Sequence, residues 1–445
     1  MYIANIGRSF LKIYNKNMHT DYSAKELFEK IVFEKFFNHE KYFKWVVNSP
    51  FVQSIGKENK KLYPDFSSQQ KFKLERLYEK IHDEEIEIDT SYAPGFFTSD
   101  ITADTSGQVT NMDFKITEDD IFCAWIGIGF GIEVEGKQVW YINKEKILWQ
   151  LFKGWDEYRR ILELESIQLK PNEIDAWNGV WLYHLYDEKK FSDKIHIDDY
   201  LSKNKSKKYN YSLESRSWSS MIFTLAKIFP DERLIINSSR YIYDKQKFVS
   251  LGFLRLDLPE VSKLEDLFKS LYAKNESISN RKLNELYQTE YTFQRVSELG
   301  HIGLRALEPK DLKKYMPGYS KTPKIKNNEK TQINISLYTI WIIAMLNNKQ
   351  LLELAERTSK SLHLFIEQEK RVSTKRSNAI NNLLDTRNRK DFINALNEIV
   401  ELDKDNSEIA EIAKELVDHV MLNIPPDNLH LFVTLLKFKY LTFNI

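Results

Sequence analysis

Apolar positions recur at helical spacing in the first part of the chain. Between residues 24 and 50 they follow a period close to 3.6, at Leu27, Ile31, Val32, Phe36 and Phe37. Two prolines, Pro50 and Pro64, then interrupt the pattern. We therefore predict helices from residue 1 to about 85.

The pattern changes to short apolar runs with turn residues between about residues 88 and 145. The runs GIGFGIEV and KQVWYIN stand on either side of Glu135 and Gly136, which predicts a hairpin. The next segment, ILWQLFKGWDEYRRILELE, returns to helical spacing. Further along, RLIINSSRYIYDKQKFVSLGFLRLDL predicts a second pair of strands at about 230–258.

The last part of the chain is helix-patterned throughout. It follows the loop YMPGYSKTPKIKNNEK, and its helical segments lie near residues 331–348, 349–370, 374–402, 407–422 and 428–441. Four or five helices of that length with short connections predict an antiparallel bundle. The predicted fold class is α+β. A mixed N-terminal domain covers residues 1–320, helical at 1–85 and strand-rich at 88–145 and 230–258, and an all-α helical bundle covers residues 330–445.

Composition narrows the class of protein but names no function. The 445 residues are 42% hydrophobic and 29% charged, with a net charge of +1, which is typical of globular domains. Cys123 is the single cysteine, so the chain has no intramolecular disulfide and no zinc site built on several thiolates. No window approaches the roughly 18 apolar residues of a membrane span, and the N-terminus lacks the apolar core of a secretory signal. We expect a cytoplasmic protein without a membrane partner.

Basic residues outnumber acidic ones in the last quarter of the chain, between residues 357 and 390, although the whole chain is nearly neutral. A helical face of this kind can follow the phosphates of a nucleic acid, and an ordinary solvated helix surface has the same composition. The candidate DNA contacts, which we call the basic band, are Arg371, Lys375, Arg376, Arg387, Arg389 and Lys390.

Two further segments have the composition of nucleic-acid contacts. Lys203, Lys205, Lys207 and Lys208 stand beside Tyr209 and Tyr211, whose rings can stack on bases. In TSGQVTNMDF, the amides of Gln108 and Asn111 can pair with base edges. A disordered surface loop and an ordinary polar turn are the alternatives.

Catalytic motifs are weak or missing. The run GIGFG has no Walker lysine, and we interpret it as a glycine-rich strand packed against another backbone. The nine histidines form no HxH or HExxH pair. Cys123 lies in the apolar run IFCAWIGI, where we expect a buried, unreactive thiol. We predict no cofactor, no metal and no enzymatic activity.

One arrangement of charged residues favours a nuclease instead. Asp119 and Asp120 precede Glu135 and Lys137, and nucleases of the PD-(D/E)xK class use an Asp and an E-x-K strand to hold Mg²⁺. That chemistry needs Glu135 and Lys137 on one face of a strand, whereas Glu-Gly between apolar runs favours the tip of a hairpin. We therefore retain a nuclease subunit of a restriction-like antiphage defence system as the alternative function.

Several segments together resemble the large subunit of a type I CRISPR effector complex, the Cascade surveillance assembly. They are IGRSFLKIYN and FFNHEKYFKWVVNSPFVQ near the start, CAWIGIGFGIEV and ILWQLFKGWDEYRRILE in the middle, and RNRKDFINALNEIV and IPPDNLHLFVTLLKFKY near the end. The resemblance spans most of the chain and includes no diagnostic motif. It implies a mixed N-terminal domain at the 5′ end of the guide RNA, followed by a helical bundle.

The resemblance also implies a function without DNA cleavage. Such subunits recognise the protospacer-adjacent motif in double-stranded target DNA, stabilise the R-loop and recruit a helicase-nuclease, while guide pairing reads the sequence. The partners would be the CRISPR guide RNA, the DNA and the other Cascade subunits. Gln108 and Asn111 would be candidate motif readers. In some of these systems the bundle is also made separately as a small subunit, for which Met316 and Met345 are possible starts. A protein-interaction module without nucleic acid is the third hypothesis.

Overall fold

A computed structural model of the chain divides into two units. The first unit comprises Met1–Asp257 and Phe293–His301, and the second comprises Leu258–Thr292 and Ile302–Ile445. The fold class is α+β, as predicted, because a five-stranded sheet accompanies the helices of the first unit and helices dominate the second. The structure describes residues 2–46, 49–83, 91–96, 116–186, 195–204, 208–242, 247–272, 289–319, 323–367, 374–404 and 406–443.

Helices are the predominant elements of both units. In chain order the α-helices of the described residues are α1 (Tyr2–Met18), α2 (Ala24–Leu27), α3 (Glu34–Phe36), α4 (Gly56–Leu62), α5 (Phe66–His82), α6 (Glu118–Gly127), α7 (Glu145–Glu163), α8 (Ile174–Leu185), α9 (Trp218–Ile228), α10 (Leu258–Tyr272), α11 (Phe293–Ser297), α12 (Glu329–Leu346), α13 (Gln350–Glu367), α14 (Thr374–Leu383), α15 (Arg389–Leu402), α16 (Ser407–Leu422) and α17 (Leu429–Thr442). A π-helical segment, Phe28–Phe33, joins α2 to α3. No helix in these described ranges is long and apolar enough to cross a bilayer.

The strands form one larger sheet and one short ladder. They are β1 (Ile132–Val134), β2 (Gln138–Tyr141), β3 (Leu201–Lys203), β4 (Tyr211–Leu213), β5 (Arg233–Ile242), β6 (Lys247–Asp257) and β7 (His301–Ile302). The five-stranded sheet has the order β1-β2-β5-β6-β7, and β3 pairs with β4. The hairpin predicted at Glu135 and Gly136 is confirmed: Val134 pairs with Gln138, and Gly136 takes a positive φ of 79° in the turn. The strand pair predicted near 230–258 is confirmed by the antiparallel β5 and β6.

The glycine-rich run GIGFG is not a strand, so that prediction was wrong. It lies at the end of α6 and in a 3₁₀ turn, Ile128–Phe130, before β1 begins at Ile132. The helix begins at a capping box, in which Thr117 and Asp120 each bond the other's backbone N–H. Every residue from 121 to 132 is buried, and a helix that is buried all round has no period for the sequence to reveal. The expected close packing against another backbone does occur, between α6 and α1.

Aromatic side chains form much of the core of the first unit. Phe10, Phe28, Phe37, Trp125 and Trp155 are almost completely buried. Phe37 stacks on Phe51 with ring centroids 4.5 Å apart, and Trp125 packs edge-on against Phe37 at 5.5 Å. The high aromatic content of this chain is therefore used in part to fill the interior, where large rings contribute most to stability.

The second unit confirms the predicted helical bundle, with one correction. The segment predicted as one helix near 374–402 forms two, α14 and α15, because Asn388 starts a new helix by accepting a hydrogen bond from the Asp391 amide at 2.9 Å. Most residues of α12 are buried. Its Trp341 and Tyr338 donate hydrogen bonds to the carbonyls of Leu304 and Lys310, at 2.9 and 3.0 Å.

The division into units differs from the boundary expected at residues 320–330. Residues 302–319 belong to the second unit, together with Leu258–Thr292 and the bundle. Tyr315 illustrates the reason, because its ring packs against Phe438 of α17 at 5.2 Å between centroids. Proline, glycine and lysine made residues 315–330 resemble a linker, although the Tyr315 ring at the start of that loop contacts α17.

Candidate nucleic-acid interface

The described members of the basic band lie on a helical hairpin formed by α14 and α15. The two helices are antiparallel, because Arg376 near the start of α14 donates a hydrogen bond to the carbonyl of Leu402 at the end of α15. Arg371 lies outside the described residues. The remaining five residues divide into two groups with different surroundings.

Lys375, Arg387 and Lys390 are exposed. None of the three has an ion pair with a carboxylate in the part of the chain that the structure describes. Arg387 lies over Gly318, since a Cβ on that glycine would come within 2.0 Å of the guanidinium. These three side chains can contact phosphate without first giving up a protein partner.

Arg376 is engaged inside the bundle. Its guanidinium donates to the carbonyls of Phe365 and Leu402, at 2.5 and 3.3 Å, and lies 4.3 Å from the centroid of the Phe365 ring. Asp403 is 3.5 Å away, and both members of this pair are largely buried. Carbonyls at the last turn of a helix lack intrahelical donors, so Arg376 satisfies the C-terminal ends of α13 and α15 together.

Arg389 has a similar structural role. It is half-buried, and its Nη2 donates to the carbonyl of Ile424, just after α16, at 2.6 Å. A cation at the carboxyl end of a helix is favoured by the helix dipole. Sequence reasoning grouped Arg376 and Arg389 with their exposed neighbours because a charge run does not reveal which side chains point inward.

Two of the exposed cations lie at helix N-termini, where the helix dipole disfavours them. Lys375 is in the first turn of α14, which has no acidic residue, and Lys390 is in the first turn of α15. A positive charge at this end costs a few tenths of a kcal/mol up to about 1 kcal/mol. An anion bound there would interact favourably with both the lysine and the positive end of the helix dipole. The two lysines therefore gain no stability from the helix dipole at these positions.

The exposed cations are spread along the hairpin. Lys375 is at one end, and Arg387 and Lys390 are at the other, because the helices run antiparallel. With a rise of 1.5 Å per residue, α14 and α15 are about 15 and 21 Å long. The hairpin thus offers cations at two ends of a surface that is long enough for several successive phosphates of a nucleic acid.

The second lysine cluster lies partly on the ladder of β3 and β4. Lys203 is exposed and pairs in register with Tyr211. Lys208 is also exposed, with its ammonium 5.4 Å from the centroid of the Tyr209 ring. Lys205 and Lys207 are outside the described residues, as are Gln108 and Asn111. The described part of this cluster has exposed charge beside half-buried rings.

The residues of the nuclease hypothesis lie on separate elements. Asp119 and Asp120 are at the start of α6, where Arg8 donates to them at 3.3 and 2.6 Å. Glu135 and Lys137 are both exposed at the turn between β1 and β2, and Lys137 pairs with Glu133 at 2.9 Å. Lys137 has a positive φ of 62°, so the two side chains do not project from one face of an extended strand.

Other candidate chemistry is weak where the structure describes it. Burial raises the pKa of Cys123 to about 12, as does the nearby Asp119 carboxylate, so the thiol stays protonated near neutral pH. The expected buried cysteine is confirmed. The described ranges contain no group of three or more His, Cys, Asp or Glu residues that could hold a metal ion.

A cavity in the second unit contains residues that sequence reasoning missed. Its volume is about 320 Å³, and its polar lining includes Tyr291, Arg305, Glu308, Lys313 and His430, with Trp341 as the large apolar surface. The sequence signal was weak because these residues come from three separate segments. A glutamate placed between apolar residues and a proline, in RALEPKDL, was the only local indication of a buried carboxylate.

Comparisons with known proteins give no relative for this chain. No protein-family model matches it, and neither the curated proteins nor the solved structures contain a match.

Proposed function

We propose that the chain is a non-catalytic nucleic-acid-binding scaffold, and within that class the large subunit of a CRISPR RNA-guided surveillance complex. In this role it recognises the protospacer-adjacent motif in duplex DNA, stabilises the R-loop and recruits a helicase-nuclease. The observation that carries the binding part is the set of three exposed cations, Lys375, Arg387 and Lys390, on the α14–α15 hairpin. The resemblance of several segments to Cascade large subunits carries the finer assignment.

The proposed contact of the hairpin is with phosphates and not with bases. Each lysine or arginine that neutralises a phosphate releases a condensed counterion, and this release supplies most of non-specific affinity for DNA. In an RNA-guided complex, base pairing with the guide identifies the sequence, and the protein has to bind backbone and a short motif. Three cations on a hairpin fit a backbone contact of that kind. The net charge of +1 favours a role in which partner subunits supply further affinity.

The nuclease alternative has less support. Asp120 is engaged by Arg8 and by the capping box of α6, and the pKa of this carboxyl is lowered by those hydrogen bonds although partial burial opposes the change. Mg²⁺ would have to compete with that guanidinium. A cleavage assay with Mg²⁺ on duplex DNA distinguishes the functions. Cleavage that is abolished by Glu135→Ala would establish the nuclease and contradict the scaffold.

Co-purification tests the finer proposal most directly. The full chain would be expressed with its genomic neighbours and isolated through a tag on another subunit, and any bound RNA would be sequenced. We expect a multisubunit particle that contains a repeat-derived guide RNA. If the chain is recovered alone and without RNA, the surveillance-complex assignment is wrong, and DNA binding by the isolated chain then decides whether the broader scaffold proposal stands.

A further inference from the structure

The cavity of the second unit contains a buried carboxylate with spare hydrogen-bonding capacity. Glu308 is only 6% exposed. Its Oε2 accepts a hydrogen bond from the Tyr291 hydroxyl at 3.0 Å, whereas its Oε1 is buried without a hydrogen-bond donor. A carboxylate oxygen that lacks a donor in a buried site carries a desolvation cost that a ligand with an N–H or O–H group would remove.

Two cations lie near the same cavity. Lys313 donates to the Tyr291 hydroxyl at 3.1 Å, and its ammonium is 4.0 Å from Glu308 Oε1. Arg305 is exposed and also lines the cavity. Among the residues that line the cavity, Glu308 is the one carboxylate beside two cations, which disfavours a cationic ligand. The carboxylate of Glu290 is outside the lining but acts on Lys313. The charges fit a ligand with two different ends. One end is neutral and donates hydrogen bonds to Glu308, and the other end is anionic and lies near Arg305.

The apolar part of the lining is an aromatic ring in a fixed position. Trp341 is buried, and its Nε1 donates to the Leu304 carbonyl at 2.9 Å. This bond fixes the indole while it lines the cavity. Asn428 and His430, at the start of α17, add polar groups to the lining. A planar heterocycle suits this lining, because its face can stack on the indole while its edges form hydrogen bonds with the polar groups.

We propose that this cavity binds a guanine nucleotide, either free or as an unpaired residue of a nucleic-acid strand. The Watson–Crick edge of guanine presents two adjacent donors, N1–H and the exocyclic amino group, and these meet the carboxylate of Glu308. The ring lies against Trp341, and the phosphate lies towards Arg305. The volume of about 320 Å³ is at the lower end of the range for small-molecule sites, as a single nucleotide requires.

Guanine fits this lining better than the other bases. The edges of adenine and cytosine combine an amino donor with a ring acceptor, so an ionised carboxylate can satisfy one group and repels the other. Uracil presents one donor between two acceptors. Of the four bases, guanine alone places two donors side by side for the two oxygens of Glu308. A site built on hydrogen bonds strongly rejects a ligand that leaves its buried groups unpaired.

The test uses the full chain and measures binding of GMP, AMP, CMP and UMP by isothermal titration calorimetry. We expect GMP to bind at least about tenfold more tightly than the others. Glu308→Gln should abolish that preference, because an amide offers one acceptor and two donors. The exposed Glu411→Gln of α16 is the matched control and should bind GMP like the wild type. Equal affinity for all four nucleotides would overturn the proposal. Failure to bind both GMP and an oligo-dT strand with one central dG would also overturn it.

A second variant keeps the test valid if Glu308→Gln fails to fold. Arg305 is exposed, so Arg305→Ala should leave the thermal unfolding profile unchanged. It should lower the affinity for GMP by about fivefold and change the affinity for guanosine very little, because only the nucleotide has a phosphate. A loss that is equal for GMP and guanosine would contradict the assigned orientation.

The source of the guanine is decided by comparing GMP with a short oligo-dT strand that carries one central dG. Tighter binding of the strand than of GMP, with the same loss in Glu308→Gln, indicates an unpaired residue of a nucleic acid. Tighter binding of GMP indicates a free nucleotide. The inference does not depend on the proposed scaffold function, because the cavity is tested by Glu308→Gln and Arg305→Ala, and the α14–α15 hairpin is tested by substitutions at Lys375, Arg387 and Lys390.

Discussion

Gly7 of α1 lies directly against the backbone carbonyl of Cys123 in α6, so that a Cβ on Gly7 would come within 1.8 Å of that oxygen. The relationship is reciprocal, because a Cβ on Gly127 would lie 2.0 Å from the carbonyl oxygen of Ile3. The two helices therefore pack backbone to backbone at two points. A methyl group cannot be accommodated by rotating a side chain, because the opposing atoms belong to the backbone.

Gly7→Ala should destabilise the first unit strongly. The helices must separate to admit the methyl group, and overpacking of this kind costs about 3 kcal/mol or more in the free energy of unfolding, although alanine is the better helix former. Urea unfolding, followed by far-ultraviolet circular dichroism, measures the change. Lys12→Ala, at an exposed position of the same helix, is the control and should change stability by less than about 0.5 kcal/mol. A similar effect of both substitutions would show that the close contact is absent.

The neighbouring residues Lys375 and Arg376 should separate binding from stability. Arg376→Ala removes the donor to the carbonyls of Phe365 and Leu402, and we expect a loss of about 2 to 3 kcal/mol in unfolding free energy. Lys375→Ala, at an exposed position, should have almost no effect on stability. Thermal and urea unfolding of both variants provide the comparison. If Arg376→Ala were as stable as Lys375→Ala, its hydrogen bonds to the helix ends would be unimportant.

The elements that the sequence predicted well are those whose period or turn chemistry is local. Glu135 and Gly136 indicated a hairpin because a glycine with positive φ suits a tight turn. The helix α7 was evident from its amphipathic spacing. The run around Cys123 failed for the opposite reason, since a helix buried on all sides and a buried strand are both continuously apolar.

The candidate site was predicted less completely than the fold. Lys375 and Arg376 are adjacent in sequence, yet only the packing of α13 against α14 and α15 decides that Arg376 points inward. The cavity around Glu308 was not foreseen, because Tyr291, Trp341 and His430 come together only in the folded unit. Local pattern cannot reveal a site made by three distant segments.

Charge reversal on the hairpin should weaken DNA binding and leave the fold intact. Reversing all five described members of the basic band would confuse the two effects, because Arg376 and Arg389 bind backbone carbonyls. The informative variant therefore replaces three residues with glutamate, namely Lys375, Arg387 and Lys390. A plot of log affinity against log salt concentration has a negative slope. We expect this slope to become less steep by about 0.9 for each phosphate contact removed.

The control for that reversal carries the same change in total charge. Lys324, Lys330 and Lys414 are exposed residues of the second unit away from the α14–α15 hairpin in sequence, and they would be changed to Glu together. Affinity for duplex DNA should fall further in the hairpin variant than in this control. Equal losses would mean that the effect is one of net charge alone, and the hairpin would not be the contact surface.

Lys73 should make the stability of the first unit depend on pH. This residue of α5 is buried, and burial, together with the charge of Lys60, lowers its pKa to about 8. The unfolded lysine has a pKa of about 10.5. Between these values the unfolded state binds more protons than the folded state, so the unfolding free energy should rise with pH.

Lys73 donates a hydrogen bond to the Phe51 carbonyl at 2.9 Å, and Tyr42 donates to the same carbonyl at 3.1 Å. Lys73→Met removes the titration and leaves this carbonyl with the Tyr42 donor. Relative to the wild type, the variant should be more stable at pH 7.5 and should lose about 2 kcal/mol of that advantage by pH 9.5. Lys71→Met, at an exposed position of α5, should show no such change. A difference between Lys73→Met and wild type that stays constant over this range would contradict the lowered pKa.

A product that begins at Met316 should be a poor independent domain. It would lack α10 and the carbonyls of Leu304 and Lys310, which accept hydrogen bonds from Trp341 and Tyr338 of α12. A start at Met345 would remove nearly all of α12, the most buried helix of the bundle. We expect the fragment 258–445 to unfold cooperatively and the fragment 316–445 to have a Tm lower by at least about 5 °C. Circular dichroism melts of the two fragments give the comparison. Equal Tm values would show that the bundle is stable without the preceding segment, and an internal start at Met316 would then be compatible with the fold.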